Sequence, residues 1–529
     1  MNGNAINSIA ATFALLAASL WVAFDIFTSG GNAVARSYMY VMGASGIYGL
    51  LSPHRAFYIL LFLTAYLDYF KRLMIFDSAL SRMDLYFVLG IAPCTLVGIA
   101  VSVLYQHFMG RSEPRPGLLR LMFFTFTGAA ALLLVSMTGA NKGFRSLGDS
   151  VNAAVYLLLL YTVPALFRTP GDLKKLLKIC VVLYVPAIIY MLVHFFRDGI
   201  FDWEMDYVKS GLTGEIRQLM ERKFRPFGTM NSAANASTVF GLILALIVSG
   251  IWKYRSLPPY DRQTNPITRF LLIVPIGLAM YATFSRMGWI SCVVSIVAVW
   301  FFKRRALTLL GYALALTAAV ATVLASPYLL RYKILNRISE DLIDNQGSDE
   351  WTQTANISTL NDRLEGFNAL VTNPKVWTPL GLRFSPYNEQ SVISQVRSHD
   401  LFTDTLLRYG YLPILLGLVF GGILLARLHR FIFDQPPGLS REMAATCLAA
   451  ALTITAGGLV NGAQLSTYPV NFFIWLMFSV VASLMMHASE QKALAPLPEK
   501  DSPPAPSWRD VQKIAGRRPQ PPLPAPASV

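Results

Sequence analysis

Apolar residues come in long unbroken runs along most of this chain, not in strict alternation or narrow helical stripes. Runs of about 17–25 residues are the length that crosses a lipid bilayer as an α-helix. Such runs fall near 7–27, 35–52, 56–70, 84–107, 118–138, 151–167, 176–196, 233–252, 269–285, 288–302, 306–326, 410–427, 442–460 and 468–486. The pattern predicts an all-α, polytopic transmembrane protein of about fourteen spans. A β-barrel is excluded, because its strands would alternate between lipid-facing and lumen-facing residues. The window at 35–52 is the weakest, since it begins at Arg36 and holds several Gly and Ser. The pair 269–285 and 288–302 is short and nearly continuous, so the turn between them must be tight. No Lys or Arg precedes the first run. That run is therefore expected to be a spanning helix and not a signal peptide, which would carry a basic leader.

The polar stretches divide the chain further. Residues 1–326 carry the first eleven spans, with one long outer loop at 197–232. Residues 327–409 form a large outer loop. Residues 410–486 carry the last three spans, and 487–529 form a Pro-rich tail. The loop at 197–232 opens with FDWEMDYV, which suits an amphipathic helix at the membrane interface. The large loop is long enough for a small helical cap, because structureless connections of this size are uncommon in compact domains. Ten of the thirty prolines lie between Pro496 and Pro526, so the tail is expected to be solvated and extended.

Composition agrees with the pattern. Hydrophobic residues make up 54% of the 529 and charged residues 14%. A soluble domain would carry about a quarter charged residues, so a cytosolic enzyme is excluded. The net charge of +15 would suggest nucleic acid in a soluble protein. Here retention of positive charge on the cytoplasmic side explains it, and nucleic acid is rejected as a partner. With the N-terminus inside, the short inner loops carry eighteen Lys and Arg and the short outer loops seven, which puts both termini in the cytoplasm. The outer loop 197–232 adds six more basic residues, against the usual trend. The four cysteines each sit inside an apolar run and read as small core residues.

Candidate chemistry is confined to the outer side. Of six histidines, His54, His107, His429 and His487 fall on the inner side. His194 is at the outer end of a span and reads as a packed or interfacial residue. His399 lies in the large loop, about ten residues before a span, where a neutral imidazole can accept a proton from a hydroxyl group. Asp400 or Asp404 can orient it. On this feature alone a solvated loop histidine is the commoner case. Arg286, between two runs at the outer boundary, requires an anionic partner or access to water; snorkelling to water is the common solution. Arg225 stands just before a helix that Asn231 or Ser232 would cap, and Arg363 lies in the large loop. Several always-charged, bidentate donors on one side of the membrane suit a phosphate or diphosphate at headgroup level. Lys142, Arg145, Lys71 and Arg72 are further candidates for that anion site, with surface charge the preferred reading for these four. No HExxH, EF-hand or aspartate-rich motif is present, so no metal or other cofactor is expected.

Three pieces of sequence resemble the O-antigen ligase and polymerase superfamily of bacterial membrane glycosyltransferases. They are RPFGTMNSAANAS at 225–237, FSRMGWIS at 284–291, and NDRLEGFNALVTNPKVWTPLG followed by SHDLFTDTLLRYG at 361–381 and 398–410. The chain departs from the family pattern in having Asp400 after the histidine, where Asn is usual, and Leu382 and Arg383 after Gly381. The resemblance implies a GT-C-like fold in the bacterial inner membrane with the active site on the periplasmic side. It implies inverting, metal-independent transfer of a saccharide from undecaprenyl diphosphate. In that scheme His399 is the general base, and Arg225, Arg286 and Arg363 bind the diphosphate. Arg397, Asp400, Lys142 and Arg145 would supplement them. The partners expected are a lipid-linked oligosaccharide and membrane lipid, with chain-length-regulating or export proteins as further candidates. Polymerisation of a surface polysaccharide or exopolysaccharide is favoured. Ligation to lipid A-core is the alternative within the family, and a lipid-linked oligosaccharide flippase is the alternative outside it.

Overall fold

The computed structural model describes residues 17–28, 33–73, 82–110, 117–138, 154–197, 199–209, 226–254, 266–283, 372–379, 410–460 and 468–494. It also describes short pieces at 30, 115, 293–294, 296–298, 381–382, 403 and 406–407. The chain divides into two compact units, Met1–His487 and Ala488–Val529. Everything below concerns the first, except the last turns of the final helix.

Every regular element among the described residues is helical. In chain order these are α1 (Ala17–Thr28), α2 (Ala33–Leu51), α3 (Pro53–Leu73), α4 (Arg82–Phe108), α5 (Leu118–Thr138), α6 (Leu159–Leu166), α7 (Pro170–Arg197), α8 (Asp202–Lys209), α9 (Ala233–Val248), α10 (Pro266–Ala282), α11 (Tyr411–Asp434), α12 (Leu439–Val460) and α13 (Val470–Leu494). Among the described residues, four stretches are long and apolar enough to cross a membrane: Asp84–Phe108, Pro170–Arg197, Ala233–Lys253 and Val470–Lys492. The 28 residues of α7 extend about 42 Å at 1.5 Å per residue, more than a hydrocarbon core. Large apolar side chains such as Phe108, Phe123, Phe124, Val182, Val419 and Leu271 stand exposed on the outside of the bundle. Water would penalise that surface and lipid does not, so this is a membrane protein.

The weakest sequence window turns out to be one of the closest-packed helices. Gly46 and Gly49 of α2 face Gly98 and Thr95 of α4 so closely that a methyl on Gly98 would overlap the Gly46 carbonyl, and one on Gly49 would come 2.5 Å from the Thr95 carbonyl oxygen. Ser45 Oγ donates across the gap to the Ile91 carbonyl at 3.2 Å. In lipid no hydrophobic effect drives helices together, so small residues and cross-helix hydrogen bonds do it by close approach. The Gly and Ser that dilute the hydropathy of α2 are its packing face. Deeper in the bundle α9 is buried almost all round, against α7, α10 and α12. Two tyrosines lock α3 to α7 reciprocally: Tyr184 donates to the Thr64 carbonyl and Tyr66 to the Leu183 carbonyl, both at 2.9 Å. Cys180 and Cys447 are buried core residues, as expected.

At the end of the bundle where α7 begins, basic side chains terminate helices. Arg115 donates to the carbonyls of Pro164 and Arg168 at the end of α6, and reaches Ser483 of α13 at 3.4 Å. Ser483 in turn donates to the Phe167 carbonyl at 2.6 Å. Lys174 Nζ donates to the Tyr254 carbonyl at 2.6 Å, just beyond the 3₁₀ turn Gly250–Lys253 that follows α9. Cations at helix C-termini complement the unpaired carbonyls and the helix dipole.

The α2–α4 contact gives a test with opposite signs. Gly98→Leu will lower the detergent melting stability by about 1–3 kcal/mol through overpacking. Gly43→Ala, on the same α2 helix with open space at its Cβ, will leave stability unchanged or raise it by up to about 1 kcal/mol. Thermal unfolding of the two purified variants checks both.

Candidate functional site

At the opposite end of the bundle, α3 finishes with Asp68, Lys71 and Arg72, all buried. Lys71 and Arg72 are therefore not surface charges, which corrects the expectation from sequence. Lys71 pairs with Asp68 of the same helix turn and also reaches Asn231, while Arg72 meets partners brought in from far along the chain. The Arg72 guanidinium donates through Nη1 to Glu204 Oε1 and through Nη2 to the Gly228 carbonyl, both at 2.5 Å. Its plane lies over the Phe227 ring, 4.8 Å from the centroid. Glu204 belongs to α8, the short helix foreseen in FDWEMDYV. Its Oε1 takes Arg72, while its Oε2 lies 2.8 Å from His194 Nε2 and accepts the Phe201 amide at 3.1 Å. The contact to Phe201, the residue before α8, is the back-reaching half of a capping box. His194 is fully buried among Tyr190, Phe201 and Phe227, a packed histidine as expected.

The second half of the cluster holds the turn before α9. Asp68 accepts the Asn231 amide at 3.1 Å through Oδ2 and Lys71 at 3.3 Å through Oδ1. Lys71 also donates to Asn231 Oδ1 at 3.1 Å. The next residue, Ser232, caps α9 by accepting the Asn235 amide at 3.2 Å. Of the two cap residues that the sequence allowed, Ser232 takes the position and Asn231 anchors the turn instead. Gly228 sits at φ +58 with Met191 directly behind it, so a side chain there would be strained and crowded. The Gly, Asn and Ser of RPFGTMNS thus each have a local structural task. Arg225 precedes this turn in the sequence.

Electrostatically the cluster balances itself. Lys71 and Arg72 face Asp68 and Glu204, so no net charge is directed outward from these four. Burial by itself raises the Glu204 carboxyl. The hydrogen bond from His194 and the charge of Arg72 outweigh burial, with help from the His194 charge and the Phe201 amide, and hold the carboxyl below its ordinary value. Among the described residues no group of three or more His, Cys, Asp and Glu is arranged to hold a metal ion.

A second piece of the resemblance, 361–381 with 398–410, is also partly visible. The 3₁₀ turn Pro374–Val376, capped by Asn373 at 3.1 Å from the Lys375 amide, leads to a backbone junction with the start of α11. The Tyr411 and Leu412 amides donate to the carbonyls of Thr378 and Pro379, at 3.0 and 3.2 Å. Gly410, at φ +85, lies against the backbone of Pro379 and Gly381, and Gly381 is itself at φ +90. Val376, Leu382, Leu406 and Leu407 form a small buried core under this junction. The two glycines of the motif, Gly381 and Gly410, meet backbone to backbone, and His399 lies between them in sequence.

His399, Arg397 and Asp400 fall in the stretch 383–402 and lie outside the described residues. So do Arg225, Arg286, Arg363, Lys142 and Arg145, along with Asp404. What the structure describes is the framework beside two of the motifs: the turn after Arg225 and the junction of Thr378–Gly381 with Gly410–Leu412. The framework residue that sequence reasoning missed is Glu204. Its position three residues after Phe201, in the first turn of a short helix, is the capping-box spacing that could have marked it.

Glu204→Ala leaves Arg72 buried and unpaired, and the protein will lose about 3–5 kcal/mol of stability. Because the Glu204 carboxyl is held below its ordinary value, its stabilisation is complete above the ordinary carboxylate range and is lost as pH falls below that range, through the lower folded value. Melting curves from pH 3 to 7 will show this loss in the native protein and not in Glu204→Gln. Separately, Gly410→Ala combines a left-handed backbone, worth about 1–2 kcal/mol, with overlap on Pro379. Thermal unfolding will place it well below Gly422→Ala, on the same helix with open space at its Cβ.

Comparison of the chain with protein-family models, with curated proteins and with solved structures finds no match.

Proposed function

We propose that this chain is an integral membrane glycosyltransferase that polymerises a bacterial surface polysaccharide or exopolysaccharide. It transfers a glycan from undecaprenyl diphosphate to the acceptor sugar of another lipid-linked repeat unit. The full arrangement is about fourteen spans in a GT-C-like fold in the inner membrane, with both termini cytoplasmic and the active site periplasmic. The observation that carries this reading is that the parts of the two motifs on view are fixed backbone junctions at helix starts. The turn 226–232 is gripped by α3 and capped into α9. The Gly381–Gly410 junction leads into α11. These are the supports that a diphosphate-binding Arg225 and a loop-borne His399 require, because a catalytic group must be held within a fraction of an ångström of its task.

The chemistry needs little beyond charge and a base. His399 removes the proton from the acceptor hydroxyl, and the oxygen attacks the anomeric carbon from the face opposite the diphosphate. The bond from that carbon to the diphosphate oxygen breaks, and the electron pair leaves with the lipid diphosphate. Arg225, Arg286 and Arg363 neutralise the charge that develops on it. Arg397, Asp400, Lys142 and Arg145 supplement this set, and no metal step is required. Self-neutralised Lys71 and Arg72 are excluded from it.

The test is purified protein with a lipid-linked repeat unit as the only substrate, with and without EDTA. A ladder of longer lipid-linked products that survives chelation is expected, and His399→Ala will reduce it at least a hundredfold with unchanged membrane insertion. No products without added lipid A-core indicates a ligase. Full-length polymer from His399→Ala, or activity that needs added divalent metal, contradicts the mechanism.

A further inference from the structure

Arg72 donates three hydrogen bonds: to Glu204, to the Gly228 carbonyl and, from Nε, to the Asp68 carbonyl of its own helix at 3.4 Å. It is among the largest fully buried side chains. One end of its fork holds Glu204 of α8 and the other holds the Gly228 carbonyl, 132 and 156 positions away in sequence. The same turn of α3 also fixes Asn231 twice, by its amide through Asp68 and by its side chain through Lys71. Apolar packing of similar volume would stabilise the end of the bundle as well or better, since buried ion pairs repay their desolvation poorly. What a planar, two-ended donor adds is geometry: the height of the Gly228 carbonyl is set relative to α8 and α3. The four formal charges cancel, so the cluster acts through the turn and not directly on a ligand.

We propose that Arg72 is a positioning residue for glycan transfer, setting the turn 226–231 and the first turn of α9 through its simultaneous contacts to Glu204 and Gly228. Asp68, Lys71 and Asn231 complete the same grip. This inference rests on the glycosyltransferase reading above.

The experiment compares wild type, Arg72→Lys and Asn231→Ala, each purified, with kcat and donor KM measured on a lipid-linked repeat unit per folded molecule. Lysine keeps the charge opposite Glu204 but cannot hold two acceptors on a rigid fork. Arg72→Lys is expected to lose at least tenfold in kcat with donor KM changed less than threefold, although the folded fraction is recovered. Asn231→Ala, which leaves the Glu204 pair intact and covers the case in which Arg72→Lys does not fold, is expected to show the same split. Wild-type kcat in the folded fraction of both variants, with only melting lowered, overturns the positioning role and leaves the glycosyltransferase reading standing. A wild-type protein that transfers nothing under any acceptor condition overturns both.

Discussion

One buried guanidinium, that of Arg72, organises the end of this bundle. A charge inside a membrane protein is tolerated only when it meets an opposite charge and its donors are satisfied. Arg72 and Lys71 impose that requirement on α3; Asp68 pairs with Lys71 and its carbonyl takes the Arg72 Nε donor, while the Arg72 charge finds its carboxylate in Glu204. The chain meets it by bringing in Glu204 from α8 and the Gly228 carbonyl from the turn before α9. The cost of leaving Arg72 unpaired is therefore also the force that brings three distant segments together. His194 closes the arrangement from α7, which occupies the second oxygen of Glu204.

The rest of the fold depends on a different economy. Lipid supplies no hydrophobic drive between helices, so contact is gained by removing side chains where two backbones can meet. Gly46 and Gly49 against Gly98 do this for α2 and α4, and Gly381 against Gly410 does it where the 3₁₀ turn Pro374–Val376 meets α11. The second junction sets the start of α11 against Thr378, Pro379 and Gly381, while the Arg72 cluster fixes the turn that follows Arg225.

Helices were legible in the sequence because apolar runs report them directly: α4, α7, α9 and α13 fall where the runs do, and even the short α8 follows from FDWEMDYV. The weakness of the window at 35–52 was legible too, but its cause was not, since Gly and Ser dilute hydropathy whether they mark a loop or a packing face. Arg72 looks like a loop charge because its neighbours in sequence give no hint of a carboxylate partner 132 residues on, whereas the Lys71–Asp68 pair is local at i, i+3. A pairing across that distance is a property of the fold and leaves no local pattern. His194 was easier, because an imidazole among aromatics at the end of a span has few alternatives to packing. The motif residues Gly228, Asn231 and Ser232 were legible as a helix start, while the division of labour between them required coordinates.

The most direct measurement of this account is a double-mutant cycle on Arg72 and Glu204, each replaced by methionine. If the pair is the constraint that joins α3, α8 and the turn, each single variant will be strongly destabilised because it strands one buried charge, and the double variant will recover most of that loss. Thermal unfolding in a single detergent reads all four corners. Losses that simply add, with the double variant the least stable, would contradict a direct pairing and with it the proposed organisation of this end of the protein.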